Sequence, residues 1–392
     1  MILVSEPICH GAEHAPFNAA LLATVRHAYP DEEIHFAAEP SHLAEVRQQL
    51  PESLHSGFGL HSAPVPPRRA GNDERRSGER ALIQRLATQF AGARQWLFSG
   101  SADTTFSALG ALRDRELKRR TLAVLHGNLS EITGWRSRNP LVRRKDLRSG
   151  LERTAIQGVR FLVLEHAIGD ALRAEMPNIA QNVHVLEHPI IADAGATGAD
   201  APEPPGQPPV RVGFLGMANS PKGFDLFLKV AERVKQHCPE GIQFHTIGPR
   251  APDMEPADWA ALDTPPWDRW LSAEEYREGV LGMNFVIMPY QAQHYRWSAS
   301  GVLLDAIRYG RPVIALRNPV MENLFQRHGD IGYLCDQDNH MVVTISERLR
   351  HPDPAHYRAQ RKALARMLEA RQPETLAPTY RAIANHQDGG GS

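Results

Sequence analysis

The stretch RWSASGVLLDAIRYGRPVIAL, residues 296–316, sets an apolar helix directly before an apolar strand. Val302, Leu303, Ala306 and Ile307 fall on one helical face, which predicts a helix over about 299–309. Gly310 stands where a helix end favours a left-handed residue, and PVIAL follows as a short buried strand. The same alternation extends outward in both directions. VRVGFLG, IQFHTIG, FVIMPY, PVIALR and IGYLC are separated by helical segments near 221–237, 272–282, 298–309 and 320–328.

Before residue 190, ILVSEPI, EIHFAAE, QWLFSGS, TLAVLHG, RFLVLEH and VHVLEHP form a second series with helical patterns between them. Such alternation implies βαβ units and parallel sheets. Between the series, ADAGATGADAPEPPGQPP at 192–209 offers no apolar face to bury and reads as an interdomain linker. The expected organisation is an N-terminal Rossmann-like domain over 1–191, the linker 192–209, a C-terminal domain over 210–374 and a final helix over 375–388 that returns to the first domain. Two doubly wound domains on one linker bring their strand ends to a common crevice, where open α/β sheets bind ligands.

A chain of 392 residues exceeds one compact core and suits two domains. Its 44 Lys plus Arg nearly balance 45 Asp plus Glu, so no global field draws it to nucleic acid and an anionic partner must be met locally. Cys9, Cys238 and Cys335 match neither a zinc spacing nor a disulfide framework, which suits a reducing compartment. MILVSEPICHGAEH lacks the basic start and long apolar centre of a secretory signal, and no run reaches the ~20 apolar residues of a membrane span. A cytoplasmic protein is expected. The closing GGGS reads as a linker and is left out of the fold.

The start of the 299–309 helix offers unpaired amides and the positive end of the helix dipole. Ser298, Ser300 and side-chain-free Gly301 let an anion of phosphate size come close there, or one serine serves as an ordinary N-cap. Asp305 is a lone carboxylate in an apolar helix, about one turn further on. It is placed to accept hydrogen bonds from a ribose diol, or it marks the solvent side of the helix.

These residues carry a resemblance. SASGVLLDAIRYGRPVIAL, with MPY just upstream and GFLGMANSPKGFDLFLKVAERV earlier at 213–234, resembles the nucleotide-binding domain of retaining, family-four-type glycosyltransferases (glycosyl transferases group 1) of the GT-B fold. The resemblance is clearest over residues 208–345. It implies that Ser300, Gly301 and Val302 cradle the donor diphosphate, that Asp305 holds the nucleotide ribose, and that Lys222, in the turn after Gly216, neutralises phosphate. It implies UDP-, GDP- or dTDP-sugar as donor, with no cofactor and no metal, and a glycan or lipid-diphosphate-linked acceptor. The base is expected to be read by backbone within WDRWLSAEEY, near Leu271. The chain departs from the family at Trp297, where the first of two glutamates is usual, at Asp305, where the second is shortened, and at Met217, where an arginine is usual. Arg250, in IGPR, is the candidate replacement cation. These losses keep open a catalytically impaired GT-B scaffold that binds nucleotide or glycan.

In the N-terminal half, His126 ends an apolar strand, and the resembled family has a histidine facing the donor sugar at a comparable place. Gly11, in HGAEHAPFN, leaves room for donor or acceptor to approach, or serves a routine βα turn. His10 and His14 lack a third ligand for zinc, and Asp336-x-Asp338 lies in a polar loop, which makes a metal-binding role improbable there. WRSRNPLVRRKDLR at 135–148 holds six cations against Asp146, a local excess of 6 − 1 = 5. Arg136 to Arg148 are the candidate contact with an anionic inner leaflet, or a solvated loop. Nucleic-acid binding lacks interleaved aromatics beyond Trp135, and a dehydrogenase reading of VGFLGMA lacks the G-x-G-x-x-G order.

Overall fold

A computed structural model of the chain describes residues 1–67, 70–134, 136–193, 209–254, 259–290 and 296–386. It contains two wholly parallel sheets. The first has seven strands: β1 (Ile2–Ser5), β2 (Ile34–Ala38), β3 (Gly59–Ser62), β4 (Gln95–Phe98), β5 (Thr121–Val124), β6 (Arg160–Val163) and β7 (Val183–Val185), in the order β3-β2-β1-β4-β5-β6-β7. The second has β8 (Val210–Leu215), β9 (Ile242–Ile247), β10 (Phe285–Met288), β11 (Val313–Leu316) and β12 (Gly332–Cys335), in the order β12-β11-β10-β8-β9. In each, the strand order reverses beside the first strand, as in doubly wound α/β folds.

Strands β1, β4, β5 and β6 are buried along their whole length, as expected when helices cover both faces of a parallel sheet. Ten apolar runs and VHVLEHP, read as strands from the sequence, are all strands here, and β3 is an addition. Its segment GLHS has one large apolar residue, Leu60, which is exposed on the sheet edge, so no apolar run announced it.

The chain divides into two compact units. The first comprises Met1–Ile191, Trp297–Ala299 and Arg371–Ser392, and the second Ala192–Arg296 and Ser300–Ala370. The first unit's core joins β1 to helix Ala15–Ala28 and to the C-terminal helix Pro373–Asn385 through Val4, Leu21, Val25, Leu376, Ala377 and Tyr380. Gln95 Nε2 donates to the Tyr380 hydroxyl beneath that helix. Arg371, fully buried, forms a two-pronged pair with Glu165 at 2.8 and 2.9 Å and fixes the segment leading into the helix. In the second unit, Phe214, Phe224, Phe227 and Phe244 pack β8 and β9 against helix Phe224–His237.

Four boundaries differ from the sequence reading, and the first is the final helix, which is Pro373–Asn385 rather than 375–388, with Pro373 in its first turn and His386 beyond its end. The expected helix 299–309 is Gly301–Arg308, because Ala299 packs into the first unit's core while Ser300 caps the helix. The expected helix 221–237 is a tight turn at Ser220–Lys222 followed by Phe224–His237. Gly223 breaks it with a φ of +75°, and a Cβ there would lie 2.2 Å from the Pro289 carbonyl oxygen. The C-terminal domain ends at Ala370 rather than 374, since Arg371 is held by Glu165 of the first unit. Most of the expected linker, residues 194–208, and residues 387 and 388 of the final helix lie outside the described residues.

Candidate functional site

The second unit builds its site from the ends of β8, β9 and β10. Gly216 leaves β8 with a φ of +81°, a conformation open to glycine, and its N–H donates to the Ile247 carbonyl at 2.9 Å. The neighbouring strand turns at Gly248, where a Cβ would lie 2.2 Å from the Gly216 oxygen. The two backbones therefore approach as closely as glycine permits. Asn219 then accepts the Lys222 N–H at 2.9 Å and closes the Ser220–Lys222 turn. The turn carries the Lys222 side chain back over the strand end. Its Nζ lies 3.0 Å from the position a Gly216 Cβ would take, and Val302 Cγ2 lies 4.0 Å from that same point.

Val302 belongs to the first turn of helix Gly301–Arg308, so the ammonium and the helix N-terminus meet over Gly216. Ser300 is 6% exposed and accepts the Leu303 N–H at 3.4 Å, which makes it the N-cap. Gly301 is exposed, and an added Cβ would meet no atom within 4 Å. One turn on, Asp305 Oδ2 accepts a 2.7 Å hydrogen bond from the Tyr276 hydroxyl. Burial pushes the Asp305 carboxyl upward, and the Tyr276 hydrogen bond with the charges of Arg308 and Lys222 oppose this. Burial likewise lowers the Lys222 ammonium, and Asp305 opposes that shift. The arrangement sets a cation, an amide-bearing helix start and a carboxylate acceptor around one glycine turn. Such a set can hold a diphosphate at one end and a diol at the other.

Tyr276 did not stand out in the sequence. It lies within WDRWLSAEEY, 29 positions from Asp305, and only the packing of helix Ala273–Leu281 brings the two together. Leu271 lies in the loop before that helix, between Trp267, whose N–H donates to the Gly248 carbonyl at 3.0 Å, and the Ser272 cap. Arg250 pairs with Asp268 at 2.9 Å and donates to the Met254 carbonyl, so its guanidinium ties the loop after β9 to the strand-like run at Trp267. Ser298 and Trp297 count with the first unit, apart from Ser300 onward, and Trp297 is 4% exposed.

In the first unit, His126 follows β5 among aromatic neighbours. The ring centroids of His14, Phe17 and His188 lie 4.1, 4.8 and 5.7 Å away. Burial and the adjoining His14 and His188 hold the His126 imidazole well below its usual pKa, so it is neutral at pH 7. His14 takes a left-handed φ of +52° at the start of helix Ala15–Ala28. Gly11, with a φ of +53°, donates its N–H to Ser41 at 3.1 Å, and its carbonyl meets His42 Nδ1 at 2.7 Å. A further carboxyl, absent from the sequence reading, sits at the start of helix Asp103–Ala111. Glu79 is 4% exposed, accepts from Thr104 and Thr105 at 2.6 and 2.9 Å, and burial pushes it up to about 7.

The basic run is partly neutralised. Arg136 pairs with Asp146 at 3.0 Å, Lys145 with Asp73 at 3.6 Å and Arg148 with Glu175 at 2.9 Å. Trp135 lies outside the described residues. Asp336 accepts from Arg317, and Asp338 begins helix Asp338–Val343 and caps the Asn339 N–H at 2.8 Å. No described helix is long and apolar enough to cross a membrane.

Similar structures share this architecture. WaaG, a glycosyltransferase involved in lipopolysaccharide biosynthesis, superimposes with a TM-score of 0.61 at 11% identity over 100% of both chains. An E. coli structure described as trehalose-6-phosphate bound with UDP-2-fluoro glucose gives 0.66 at 10% identity over 98% of this chain and 99% of that one. A TarM variant from S. aureus, in complex with fondaparinux, alpha-GlcNAc-glycerol and UDP, gives 0.55 at 15% identity over 79% of this chain and 59% of that one. No curated protein sequence matches the chain.

The chain therefore has the GT-B fold, two Rossmann-like parallel sheets with their helices, that these structures share. Within it, residues 209–350, most of the second unit, match the family model of glycosyl transferases group 1.

Proposed function

We propose that the protein is a retaining, metal-independent glycosyltransferase that moves a sugar from a nucleotide-sugar donor to a glycan or lipid-linked saccharide acceptor, in the synthesis of bacterial surface polysaccharide. The observation that carries this reading is the convergence of Lys222 and Val302 on Gly216, with Asp305 one turn away on the same helix. Glycosyl transfer expels a nucleoside diphosphate. Negative charge that develops on the leaving oxygen is stabilised by the Lys222 ammonium and by the amides of Gly301 and Val302, which are already in place before reaction. Asp305 accepts from the ribose hydroxyls through the oxygen that Tyr276 leaves open.

His126, neutral at pH 7, is suited to donate or accept a hydrogen bond at a sugar hydroxyl without adding charge. The departing diphosphate and the incoming hydroxyl share one face of the sugar in this scheme, which gives retention. Two of the similar structures hold UDP or UDP-2-fluoro glucose, which makes uracil the first base to test. The exposed Arg138, Arg143 and Arg144 face solvent where an anionic lipid surface carrying the acceptor would meet them.

A donor panel tests the reading: purified protein is incubated with UDP-, GDP- and dTDP-sugars, and released nucleoside diphosphate is measured with and without acceptor. Release that depends on Lys222 supports it, and no release with any donor sinks the enzymatic reading. A second reading, a scaffold that binds nucleotide but does not turn it over, rests on Trp297 in place of the expected glutamate. Tight nucleotide binding without release would favour it.

A further inference from the structure

The N-terminal ends of β4, β5 and β6 open onto a cavity of about 1600 Å3 that lies wholly within the first unit. Arg94 and Arg120, which line it, immediately precede β4 and β5, and Gly158 lies two positions before β6. His126 follows the opposite end of β5, roughly 16 Å along the strand direction. The cavity is thus separate from the residues assigned above.

Its charge is one-sided. Among the described residues, seven Arg and Lys side chains line it against the single carboxylate of Glu116. Three of the seven have partners: Arg94 pairs with Glu32 at 2.6 Å, Arg119 pairs with Glu116 at 3.0 Å, and Arg160 donates to the carbonyls of Ile383, Ala384 and His386. Arg113, Arg115 and Arg120 are exposed and form no ion pair among the described residues.

Lys118 is the unusual member. It is 3% exposed, and its ammonium reaches the Gly110 carbonyl at a long 3.4 Å. Burial, with the charges of Arg115 and Arg153, holds its amine below the ordinary lysine range, and Asp114 alone opposes them. A covered ammonium beside other cations is unfavourable unless a counter-charge completes it. The interior of the cavity is where that counter-charge fits.

We propose that this cavity binds a soluble, multiply phosphorylated anion through Lys118, Arg113, Arg115 and Arg120. Guanidinium forks match phosphate oxygens in pairs, and several cations on one concave wall favour several phosphates over one. Among the described residues no Phe, Tyr or Trp lines the cavity, so they supply no stacking platform of the kind single-stranded nucleic acid uses. A concave wall of this kind suits a small ligand rather than a flat bilayer.

The test uses the full chain carrying Lys222→Ala, which removes the ammonium of the donor site, titrated calorimetrically with inorganic tripolyphosphate. Saturable binding is expected, at least about tenfold tighter than orthophosphate, and weaker as salt screens the cations. Replacing the three exposed arginines, Arg113→Ser with Arg115→Ser and Arg120→Ser, raises the tripolyphosphate Kd at least about tenfold. In the chain with native Lys222, the same three replacements leave nucleoside diphosphate affinity unchanged. A Lys118→Met chain melts higher in the absence of anion and binds tripolyphosphate more weakly. Undiminished affinity in the triple arginine variant overturns the proposal, as does binding to anionic phospholipid vesicles with none to tripolyphosphate.

Discussion

The hydroxyl of Tyr276 donates a 2.7 Å hydrogen bond to Asp305 Oδ2 and so joins helix Ala273–Leu281 to helix Gly301–Arg308. The bond favours the ionised carboxylate against the burial that pushes its pKa upward. Tyr276→Phe removes it. Asp305 then protonates at higher pH than in the parent, and a protonated carboxyl is a poorer acceptor for ribose. Nucleoside diphosphate titrations at pH 5 and pH 8 measure this, and the ratio of the two Kd values is expected to be larger in the variant. An equal ratio in both proteins would separate Tyr276 from the site.

Lys222→Ala removes the ammonium that faces Gly216. Loss of one preorganised electrostatic donor lowers turnover on the order of 100-fold, about 3 kcal/mol. Steady-state release of nucleoside diphosphate measures it, and turnover at the parent level would take Lys222 out of the mechanism.

Gly216→Ala tests the close approach from the other side. The alanine must keep a φ of +81°, and its methyl lies 3.0 Å from Lys222 Nζ. The left-handed conformation costs about 1–2 kcal/mol for an L-residue, visible in denaturant unfolding. Displacement of the ammonium lowers turnover beyond what the stability loss explains. Parent-like turnover in the folded variant would show that the ammonium is not placed by this turn.

Much of this site was legible in the sequence because its residues lie next to each other along the chain. Gly216, Lys222 and Gly223 share one strand-to-helix turn, and Ser300, Gly301, Val302 and Asp305 share one helix. Their strands are short, largely apolar runs buried along most of their length, with Arg211 of β8 the exposed exception, which the alternation rule reads well. What escaped was set by contacts distant in sequence. β3 has no apolar pattern because it is an edge strand, and Tyr276 reaches Asp305 only through helix packing. The helix containing Asp305 begins at Gly301 because Trp297–Ala299 belong to the other unit, a division that local spacing does not encode. The basic run showed only Asp146 against its six cations because Asp73 and Glu175 lie far from it in sequence.

Glu79 gives the fold a pH dependence. Its carboxyl sits at about 7 in the folded chain against an ordinary 4.5. The folded state therefore holds a proton that the unfolded state has lost, so stability falls as pH rises from about 4.5 to about 7 and is level above that. The shift corresponds to about 3 kcal/mol at most. Glu79→Gln keeps one oxygen to accept from a threonine hydroxyl, turns the other position into an NH2 that donates to the second hydroxyl, and removes the charge. Thermal unfolding at pH 5 and pH 8 is expected to show the variant gaining on the parent at pH 8. A constant difference between the two pH values would place the titration elsewhere.

The most direct measurement is a calorimetric titration of the chain with UDP, GDP, dTDP and ADP, repeated on Lys222→Ala and Asp305→Ala. One nucleoside diphosphate is expected to bind preferentially, and each variant is expected to weaken it at least about tenfold, or 1.4 kcal/mol. Binding of equal strength in the parent and both variants would contradict the assignment of this turn and helix as the donor site.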